Sequence, residues 1–332
     1  NRLDRERYRV FPIYIDLDGR WHGGGELAGE VGRPGDLRLS AEETVPMGDI
    51  LKRWYNESRD SHVVFPVLHG PNGEDGTLQG MLDMLNVPYV GNGVFASAAG
   101  MDKIMTKRLR EQARIPQAPY SAVASFEWDK DADGIVRELE AAIGYPCYVK
   151  PAAMGSSIGI GRCDNREQLL RAVREAFRYD RKIAVEKQID GREIQLALIG
   201  DDEPFCSVAG EFERERDFFS YERKYASGKL TMRIPARLDD GVYARLRTMA
   251  LRAFRTLDGA GLMRVDFFVT DDNDVYFNEV NTLPGFTENS MFPAMLTHDG
   301  RRTFAELLDE LIELAFRRYR AKRGSFERRA ER

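Results

Sequence analysis

The chain has little cysteine, and its three cysteines are scattered. Cys147, Cys163 and Cys206 form no Cys-x-x-Cys pair in 332 residues. An odd, dispersed set indicates neither a disulfide framework nor a zinc site. The chain also lacks a run near the roughly 20 apolar residues of a membrane span, and its first residues contain no apolar signal core. We therefore expect a cytoplasmic protein with no membrane partner.

Neither sign of charge dominates the composition. Lysine and arginine number 49 against 54 aspartates and glutamates, and 42% of the residues are hydrophobic. These values are typical of a globular protein and not of a dedicated nucleic-acid-binding one. The basic C-terminal tail is explained by a solvated chain end, so we expect no nucleic-acid partner. The length exceeds one hydrophobic core and favours two or three domains.

Two familiar nucleotide-binding signatures are missing or unconvincing. The chain has no G-x-x-x-x-G-K-[ST] loop, which excludes a Walker-type phosphate site. A G-x-G-x-x-A match at 23–28 follows no convincing strand. A second match at 91–96 lacks a strand-borne acidic residue about 20 positions later, since Glu111 falls in a predicted helix. Neither match makes a good dinucleotide fingerprint.

The most informative stretch is a predicted β-hairpin at residues 262–281. Two runs of β-branched and aromatic residues flank a short turn rich in aspartate and asparagine, which favours a hairpin. Folding the chain at this turn sets Asp266 opposite Glu279. The strand period of two then places Arg264, Glu279 and Asn281 on the same face.

The polar set on this hairpin suits a cation. Asp266, Glu279 and Asn281 offer only oxygen ligands, which fits a hard cation such as Mg²⁺ that bridges to a phosphate. The alternative is a solvated strand face whose charges pair with one another. Residues of these types are depleted in strands, so their presence in register favours the cation site.

Other segments carry weaker indications of a nucleotide site. Lys150 ends a predicted strand before the small, hydroxyl-bearing loop at 155–161. Such a loop suits phosphate oxygens but is more often a simple turn. The helical Lys103 and Lys107 are typical of a solvated helix surface. The charged, aperiodic segment at 211–229 indicates either disorder or a functional lid.

Two acidic positions and one histidine complete the candidates from the residues alone. Glu186 and Glu193 bracket a short connector and can face an adenine amino group and a ribose, or simply be two exposed acids. His69 lies in the loop after the apolar run at 63–68. Ligands collect at the carboxyl ends of such buried strands.

Read together, several separate blocks resemble the D-alanine–D-alanine ligase family of the ATP-grasp superfamily. The blocks are LHGPNGEDGTLQG at 68–80, GMDK at 100–103, VKP at 149–151 with GSS at 155–157, YERKY at 221–225, RVD at 264–266 and NEVNTLPG at 278–285. Their order and spacing over residues 5–320 carry the resemblance.

The resemblance implies an α/β fold of three-domain ATP-grasp architecture. An N-terminal Rossmann-like (pre-ATP-grasp) domain is expected at 1–98, a central ATP-grasp subdomain at 99–185, and a C-terminal one at 186–332 with its lid at about 211–229. Family members usually begin with a strand, a glycine-rich turn and a glutamate that binds the first substrate. This chain starts after that segment, so we expect an incomplete N-terminus, or else the loss of a substrate anchor.

The resemblance also implies roles for individual residues. The nucleotide contacts are Lys103, Lys150, Ser157, Lys224, Glu186 for adenine and Glu193 for ribose. The metal ligands are Asp266, Glu279 and Asn281. The catalytic and substrate contacts are Arg264 with the backbone N–H of Gly285 at the oxyanion, Ser156 and Tyr225 at the lid, Lys224 near the transferred phosphate, His69 by the first D-alanine, and Ser290 with Met291 by the second.

The implied reaction joins two D-alanines through an acyl phosphate in cytoplasmic synthesis of peptidoglycan precursors. It uses ATP and two Mg²⁺ ions, with Mn²⁺ as an alternative, in a homodimer. A D-alanine–D-lactate or D-alanine–D-serine ligase is the nearest rival, and Lys224 with Tyr225 favours the dipeptide product. A catalytically silent ATP-binding homologue is the second rival.

Overall fold

The structure is a computed structural model that describes residues 2–23, 25–27, 29–31, 46–56, 61–213 and 231–330, with side chains to residue 324. Within these ranges no helix has the length and apolar character needed to cross a membrane. The chain separates into two compact units. The first unit comprises Asn1–Phe65, Met81–Val90 and Arg302–Arg332, and the second comprises Pro66–Gly80 and Gly91–Arg301.

The described residues form nine helices and eleven strands. The helices are α1 (Met47–Asn56), α2 (Thr77–Met84), α3 (Val94–Met101), α4 (Lys103–Gln112), α5 (Ser125–Ala142), α6 (Arg166–Ala176), α7 (Asp240–Thr256), α8 (Met291–Thr297) and α9 (Phe304–Ala330). The strands are β1 (Ile13–Ile15), β2 (Trp21–Gly23), β3 (Tyr120–Ala124), β4 (Cys147–Pro151), β5 (Gly161–Cys163), β6 (Lys182–Lys187), β7 (Arg192–Gly200), β8 (Phe205–Phe212), β9 (Met232–Arg233), β10 (Gly261–Val269) and β11 (Val275–Asn281).

The first unit contains little regular sheet in its described part. Strands β1 and β2 form an antiparallel hairpin. The apolar run predicted as a buried strand at 63–68 pairs only through Val64, which bridges Tyr89 in parallel. Val67 is 63% exposed, so the prediction of a continuous buried strand is wrong, although the single bridge has the predicted parallel direction.

The second unit contains two sheets whose strand pairs are all antiparallel. One has the order β11-β10-β7-β8-β9 and the other the order β3-β6-β4-β5. Helix α7 lays the apolar stripe that includes Leu246, Ala250 and Phe254 on the first sheet, and these residues are buried as predicted. Strand β6 continues to Lys187 and crosses the boundary expected at residue 185. The division into three domains stays a prediction.

Strand β6 shows how alternation separates a core face from a polar face. Ile183 and Val185 are buried in the core under α5 and α6. Ala184 and Glu186 point to the other face, where Ala184 packs with Ile104 of α4 and Ala152. The small side chain of Ala184 leaves this face room for long side chains.

A one-residue β-bulge in β11 sets which side chains reach the face of the β10–β11 hairpin. Next to the turn Val269 pairs with Val275, and the register shifts between Asp266 and Phe267 so that Asp266 pairs with Glu279. In an unshifted register Glu279 would pair with Val265 and face the core. The predicted pairing of Asp266 with Glu279 is confirmed, and the bulge at Asn278 is its physical cause.

The alternation of side chains along β11 predicts unequal losses of stability for two neighbouring residues. Phe277 is 1% exposed, and its ring meets that of Phe267 edge-on at 6.1 Å. Phe277→Ala is therefore expected to lower the free energy of unfolding by about 3–5 kcal/mol because it leaves a cavity. The matched control Tyr276→Ala, at a half-buried position on the other face, should cost less than about 1 kcal/mol. Urea denaturation measures both, and equal losses would contradict the assignment of Phe277 to the core and Tyr276 to the other face.

Candidate active site

Arg264 and Asp266 form a bidentate ion pair on one face of β10. Nε of Arg264 donates to Oδ1 of Asp266 at 2.8 Å, and Nη2 donates to Oδ2 at 2.7 Å. Gln195 of β7 donates its Nε2 to the same Oδ2 at 3.4 Å. The pair holds the guanidinium plane in one orientation and leaves the N–H groups of Nη1 outside the pair.

Burial sets the electrostatics of this pair. Asp266 is fully buried, and burial raises the pKa of its carboxyl to about 6 although Arg264 opposes the rise. Burial by itself lowers the pKa of Arg264, but the attraction of Asp266 outweighs it and the pKa is raised. The charge of Glu279 also raises the pKa of Asp266, since two facing carboxylates disfavour joint ionisation.

The residues predicted to hold a cation fit one by chemistry. Asp266, Glu279 and Asn281 present oxygen atoms from one face of the hairpin, and Oδ1 of Asn281 also accepts from the backbone N–H of Leu283 at 3.0 Å. Within the described ranges no group of three or more histidine, cysteine or acidic side chains is arranged to hold a metal. The predicted set has two carboxylates and one amide, so magnesium binding stays a prediction.

Four charged side chains, Lys103, Lys107, Lys150 and Glu186, form a lysine–glutamate cluster. Nζ of Lys150 lies 2.9 Å from Oε2 of Glu186, and Nζ of Lys107 lies 3.3 Å from the same oxygen. Lys103 donates to the backbone carbonyl of Met154 at 2.6 Å. Three of the predicted nucleotide contacts, Lys103, Lys150 and Glu186, are therefore close together, and Lys107 lies beside them.

The pKa values of this cluster reflect burial opposed by pairing. Burial would raise the pKa of Glu186, but the ammonium groups of Lys150 and Lys107 hold it at about 2. Burial lowers the pKa values of Lys103 and Lys107. Lys150 keeps a raised pKa because its attraction to Glu186 exceeds the effect of burial. Two ammonium groups thus contact one buried carboxylate, and the charge of that carboxylate also acts on Lys103.

The position of Lys107 differs from the one predicted from the sequence. The helical pattern predicted a solvated surface lysine, whereas its side chain is 2% exposed and lies beside Glu186. Its Nζ also stands 5.2 Å from the ring centroid of Tyr120. The available signal was the spacing of Lys103 and Lys107, which puts both on one helix face.

The predicted phosphate loop follows Lys150 with an uncommon backbone. Ser156 and Ser157 have positive φ values of 54° and 60°, a conformation that non-glycine residues adopt rarely and often at functional sites. The loop is closed by the N–H of Ile158, which donates to the carbonyl of Gly155 at 3.1 Å. A loop of this kind presents backbone N–H groups to one side, as an anion site requires.

Glu74 is a site residue to which the sequence analysis gave no role. Its carboxylate accepts from the backbone N–H of Gly70, next to the predicted His69. Burial raises the pKa of Glu74, and the charges of His69, Glu279 and Arg264 act on it as well. A Cβ added at Gly155 would lie 3.9 Å from its Oε2. Glu74 therefore stands where the histidine turn, the serine loop and the hairpin approach one another.

The residues predicted at the second-substrate site lie around the start of α8. A Cβ added at Gly285 would lie 3.1 Å from Oγ of Ser290, and that Oγ accepts from the N–H of Thr287 at 3.0 Å. Met291 is buried. A Cβ added at Gly210 would lie 2.6 Å from its sulfur, so β8 packs closely against this turn.

The remaining predicted residues fall into two groups. Glu193 lies on β7 opposite Phe268, and its charge acts on Lys150, Arg264 and Asp266. Lys224 and Tyr225 lie outside the described residues, as does most of the predicted lid. Glu211 and Phe212 belong to β8, so placing the start of the loop at Glu211 was wrong by at least two residues.

Comparisons with known proteins agree along the length of the chain. A model described as D-ala D-ala ligase N-terminus matches residues 1–92, and one described as D-ala D-ala ligase C-terminus matches residues 109–313. The D-alanine–D-alanine ligase of Geobacillus thermodenitrificans is 47% identical, over 97% of this chain and 90% of the relative. That of Bacillus velezensis is 46% identical, over 96% and 92%.

Solved structures show the same likeness. The D-alanine-D-alanine ligase from Coxiella burnetii superimposes with a TM-score of 0.78 at 31% identity, over 99% of this chain and 92% of the other. The VanG D-Ala:D-Ser ligase from Enterococcus faecalis gives 0.81 at 31%, over 95% and 92%.

Two antiparallel sheets, one bearing the lysine–glutamate cluster and the other the arginine–aspartate hairpin, define an α/β ATP-dependent ligase of the ATP-grasp class. The predicted fold class is confirmed at this level. Within the class, the chain belongs to the D-alanine–D-alanine ligase family.

The ion pair of the hairpin generates a stability prediction. Arg264→Met leaves the buried carboxylate of Asp266 without its cation, and we expect it to lower the free energy of unfolding by about 3–5 kcal/mol at pH 7. Adding Asp266→Asn removes the stranded charge and should recover at least about 1 kcal/mol. Chemical denaturation of both single variants and the double variant measures this coupling. Additive losses would show that the pair does not interact as described.

Proposed function

We propose that this protein joins two D-alanines with ATP, releasing ADP and phosphate, for the synthesis of peptidoglycan precursors. The observation that carries the proposal is the hairpin in which Arg264 and Asp266 face Glu279 and Asn281. The lysine–glutamate cluster supplies the cationic surroundings that a polyphosphate needs. Membership of the family, with named ligases that are 46% and 47% identical, supports the same reaction.

In the first step a carboxylate oxygen of one D-alanine attacks the γ-phosphorus of ATP, and the bond to ADP breaks. Both reactants are anionic, so the main requirement is positive charge along the phosphates. Lys103 and Lys150 are the cations assigned here, with the loop at Ser156 and Ser157 contributing hydroxyl and backbone donors. Glu186 and Glu193 are assigned to adenine and ribose.

In the second step the amine of another D-alanine attacks the carbonyl carbon of the acyl phosphate. Negative charge then develops on the carbonyl oxygen before phosphate leaves. Donors aimed at that oxygen stabilise it, and we assign this to the N–H groups of Arg264 and to the backbone N–H of Gly285. The ion pair with Asp266 keeps the guanidinium oriented before substrate arrives.

The other roles concern substrate placement and the exclusion of water. His69 is assigned to the first D-alanine, and Ser290 with Met291 to the second. Ser156 and Tyr225 are assigned to closing the lid, and Lys224 to the transferred phosphate. Water has to be excluded because an acyl phosphate hydrolyses readily.

Asp266, Glu279 and Asn281 are the residues that would hold Mg²⁺. When bound, the metal supplies charge neutralisation at the phosphates and the transferring phosphoryl group. Two ions, with Mn²⁺ as an alternative metal, accord with a site of hard oxygen ligands. We also propose a cytoplasmic location, because the ATP that the reaction consumes is a cytoplasmic substrate, and a homodimer, because the family resemblance implies one. Sedimentation of the purified protein tests the dimer.

A second candidate function differs in the second substrate. The likeness to a D-Ala:D-Ser ligase equals that to a D-alanine-D-alanine ligase, at 31% identity in each case. D-serine or D-lactate as the acceptor is therefore the nearest rival. Relatives of 46–47% identity that carry the D-alanine–D-alanine name favour the dipeptide of D-alanine. ATP binding without turnover would characterise the silent homologue.

The substrate prediction is tested by supplying ATP and Mg²⁺ with different acceptors. D-alanine alone should give phosphate release and one D-alanyl-D-alanine for each phosphate, measured by a coupled assay and mass spectrometry. D-alanine mixed with equal D-serine or D-lactate should yield mainly the same product at neutral pH. Predominance of the mixed product would show a D-alanine–D-serine or D-alanine–D-lactate ligase. Absence of D-alanine-dependent phosphate release would contradict the proposed reaction.

The metal prediction uses two acidic residues of the same hairpin. Glu279→Gln is expected to lower turnover about 100-fold and to raise the Mg²⁺ concentration needed for half-maximal rate, because one ionised ligand is lost. Asp272→Asn, in the exposed turn, is the matched control and should leave both quantities unchanged. Chelation of the metal should stop the wild-type reaction. An unchanged Mg²⁺ dependence in Glu279→Gln would remove Glu279 from the metal site.

A further inference from the structure

We infer that Lys107 is a positioning residue for nucleotide binding, which acts by holding the Glu186 carboxylate when Lys150 turns to the phosphates. The inference rests on the proposed function, since that function assigns Glu186 to adenine and Lys150 to phosphate. It adds a residue that carries no role there. The contacts of Lys107 with Glu186 and Tyr120 are the starting point.

Two lysines contact the single carboxylate of Glu186, so one positive charge exceeds what an ion pair needs. Glu186 already has Lys150 at 2.9 Å, and Lys107 approaches the same oxygen to 3.3 Å. A second buried ammonium group beside one carboxylate is costly, because burial and the nearby Lys150 both disfavour its charge. Lys107 would remain as the counter-ion of Glu186 when Lys150 moves to the phosphates.

The helix that carries Lys107 is firmly placed over β6. Asp102 caps the start of α4 by accepting from the N–H groups of Ile104 at 3.0 Å and Met105 at 3.1 Å. The other carboxylate oxygen of Asp102 accepts from Lys182 at the start of β6. Ile104 then packs on Ala184, two residues before Glu186. These contacts keep Lys107 beside Glu186 whatever Lys150 does.

The lysines differ in which end of the proposed nucleotide site they are near, and this assigns them different roles. Lys150 leads directly into the serine loop, where phosphate is assigned, and Lys103 is tied to the carbonyl of Met154 in the same segment. Lys107 lies a helical turn further on, next to the ring of Tyr120, which pairs with Glu186 across β3 and β6. Lys107 thus faces the adenine end of the proposed site, where a fixed, ionised Glu186 can accept from the 6-amino group.

The experiment measures equilibrium binding of a non-hydrolysable ATP analogue, adenosine 5′-(β,γ-imido)triphosphate, together with turnover of D-alanine. Lys107→Met is expected to raise the Kd of the analogue and the KM of ATP about tenfold, with kcat within about twofold of wild type. Lys107→Arg should restore both values to within about threefold. The inosine analogue, which has no 6-amino group, should lose much less affinity than the adenosine analogue.

The matched control is Arg110→Met, which removes another fully buried cation from α4. Arg110 donates to the carbonyl of Ala253 and lies over the ring of Phe277, away from Glu186. Its replacement should leave the Kd and KM values unchanged. The melting temperature of each variant shows whether it is folded. If Lys107→Met does not fold, Lys107→Gln, which keeps a polar donor, is measured in its place.

A double-variant cycle shows whether Lys107 acts through Glu186. Glu186→Gln should weaken binding, and adding Lys107→Met should then cause no further loss. A full additional loss in the double variant, an unchanged Kd in Lys107→Met, or equal losses for both analogues would overturn the inference. Absence of turnover in the wild type would overturn the proposed function, and the binding measurements would still decide the role of Lys107.

Discussion

The register of the β10–β11 hairpin is the constraint on which the active site depends. Strand side chains alternate between faces, so one residue of slip exchanges the whole polar set for the apolar one. The bulge at Asn278 lets Phe277 stay in the core while Glu279 reaches the face of Asp266. A regular strand of the same sequence would satisfy only one of these demands. The orientation of Arg264, fixed by its pair with Asp266, follows from the same register.

The β3-β6-β4-β5 sheet is subject to a different constraint, because buried positive charges lie on one of its faces. Alternation along β6 assigns Ile183 and Val185 to the core and leaves Ala184 and Glu186 for the polar face. The small residue provides space, and the acidic one provides a counter-ion for lysines from α4 and β4. The core of this sheet and the charge of the proposed nucleotide site are thus specified by alternate residues of one strand.

Local sequence predicted the parts of the site that depend on local geometry. The predicted turn paired Asp266 with Glu279 correctly, but the structure reaches this pair through the bulge at Asn278, which the sequence pattern did not reveal. The family resemblance supplied the fold class. The structure then brings Lys103, Lys150 and Glu186 together, although their nucleotide roles stay predictions. The local sequence did not predict the positions of Lys107 and Glu74, because their burial depends on which elements pack over them. A helical lysine has the same local pattern whether it faces water or a carboxylate.

The strand at 63–68 illustrates the opposite error. Its apolar run suggested a fully buried strand, but apolar character alone does not settle pairing, and the described residues show one bridge at Val64. The lid is a third case, because its charged, aperiodic sequence contains too little pattern to locate its first residue. Its start was placed on residues that extend β8.

The shared carboxylate of Glu186 also bears on how the fold accommodates its buried positive charges. Without it, the chain would have to bury the ammonium groups of Lys107 and Lys150 without the carboxylate that both of them contact. Glu186 supplies that carboxylate from within the chain, and its pairing with Lys150 and Lys107 lowers its pKa to about 2, so it is ionised at neutral pH. The chain therefore compensates the charge of these two buried lysines within its own fold, and no polyphosphate is needed to neutralise them there.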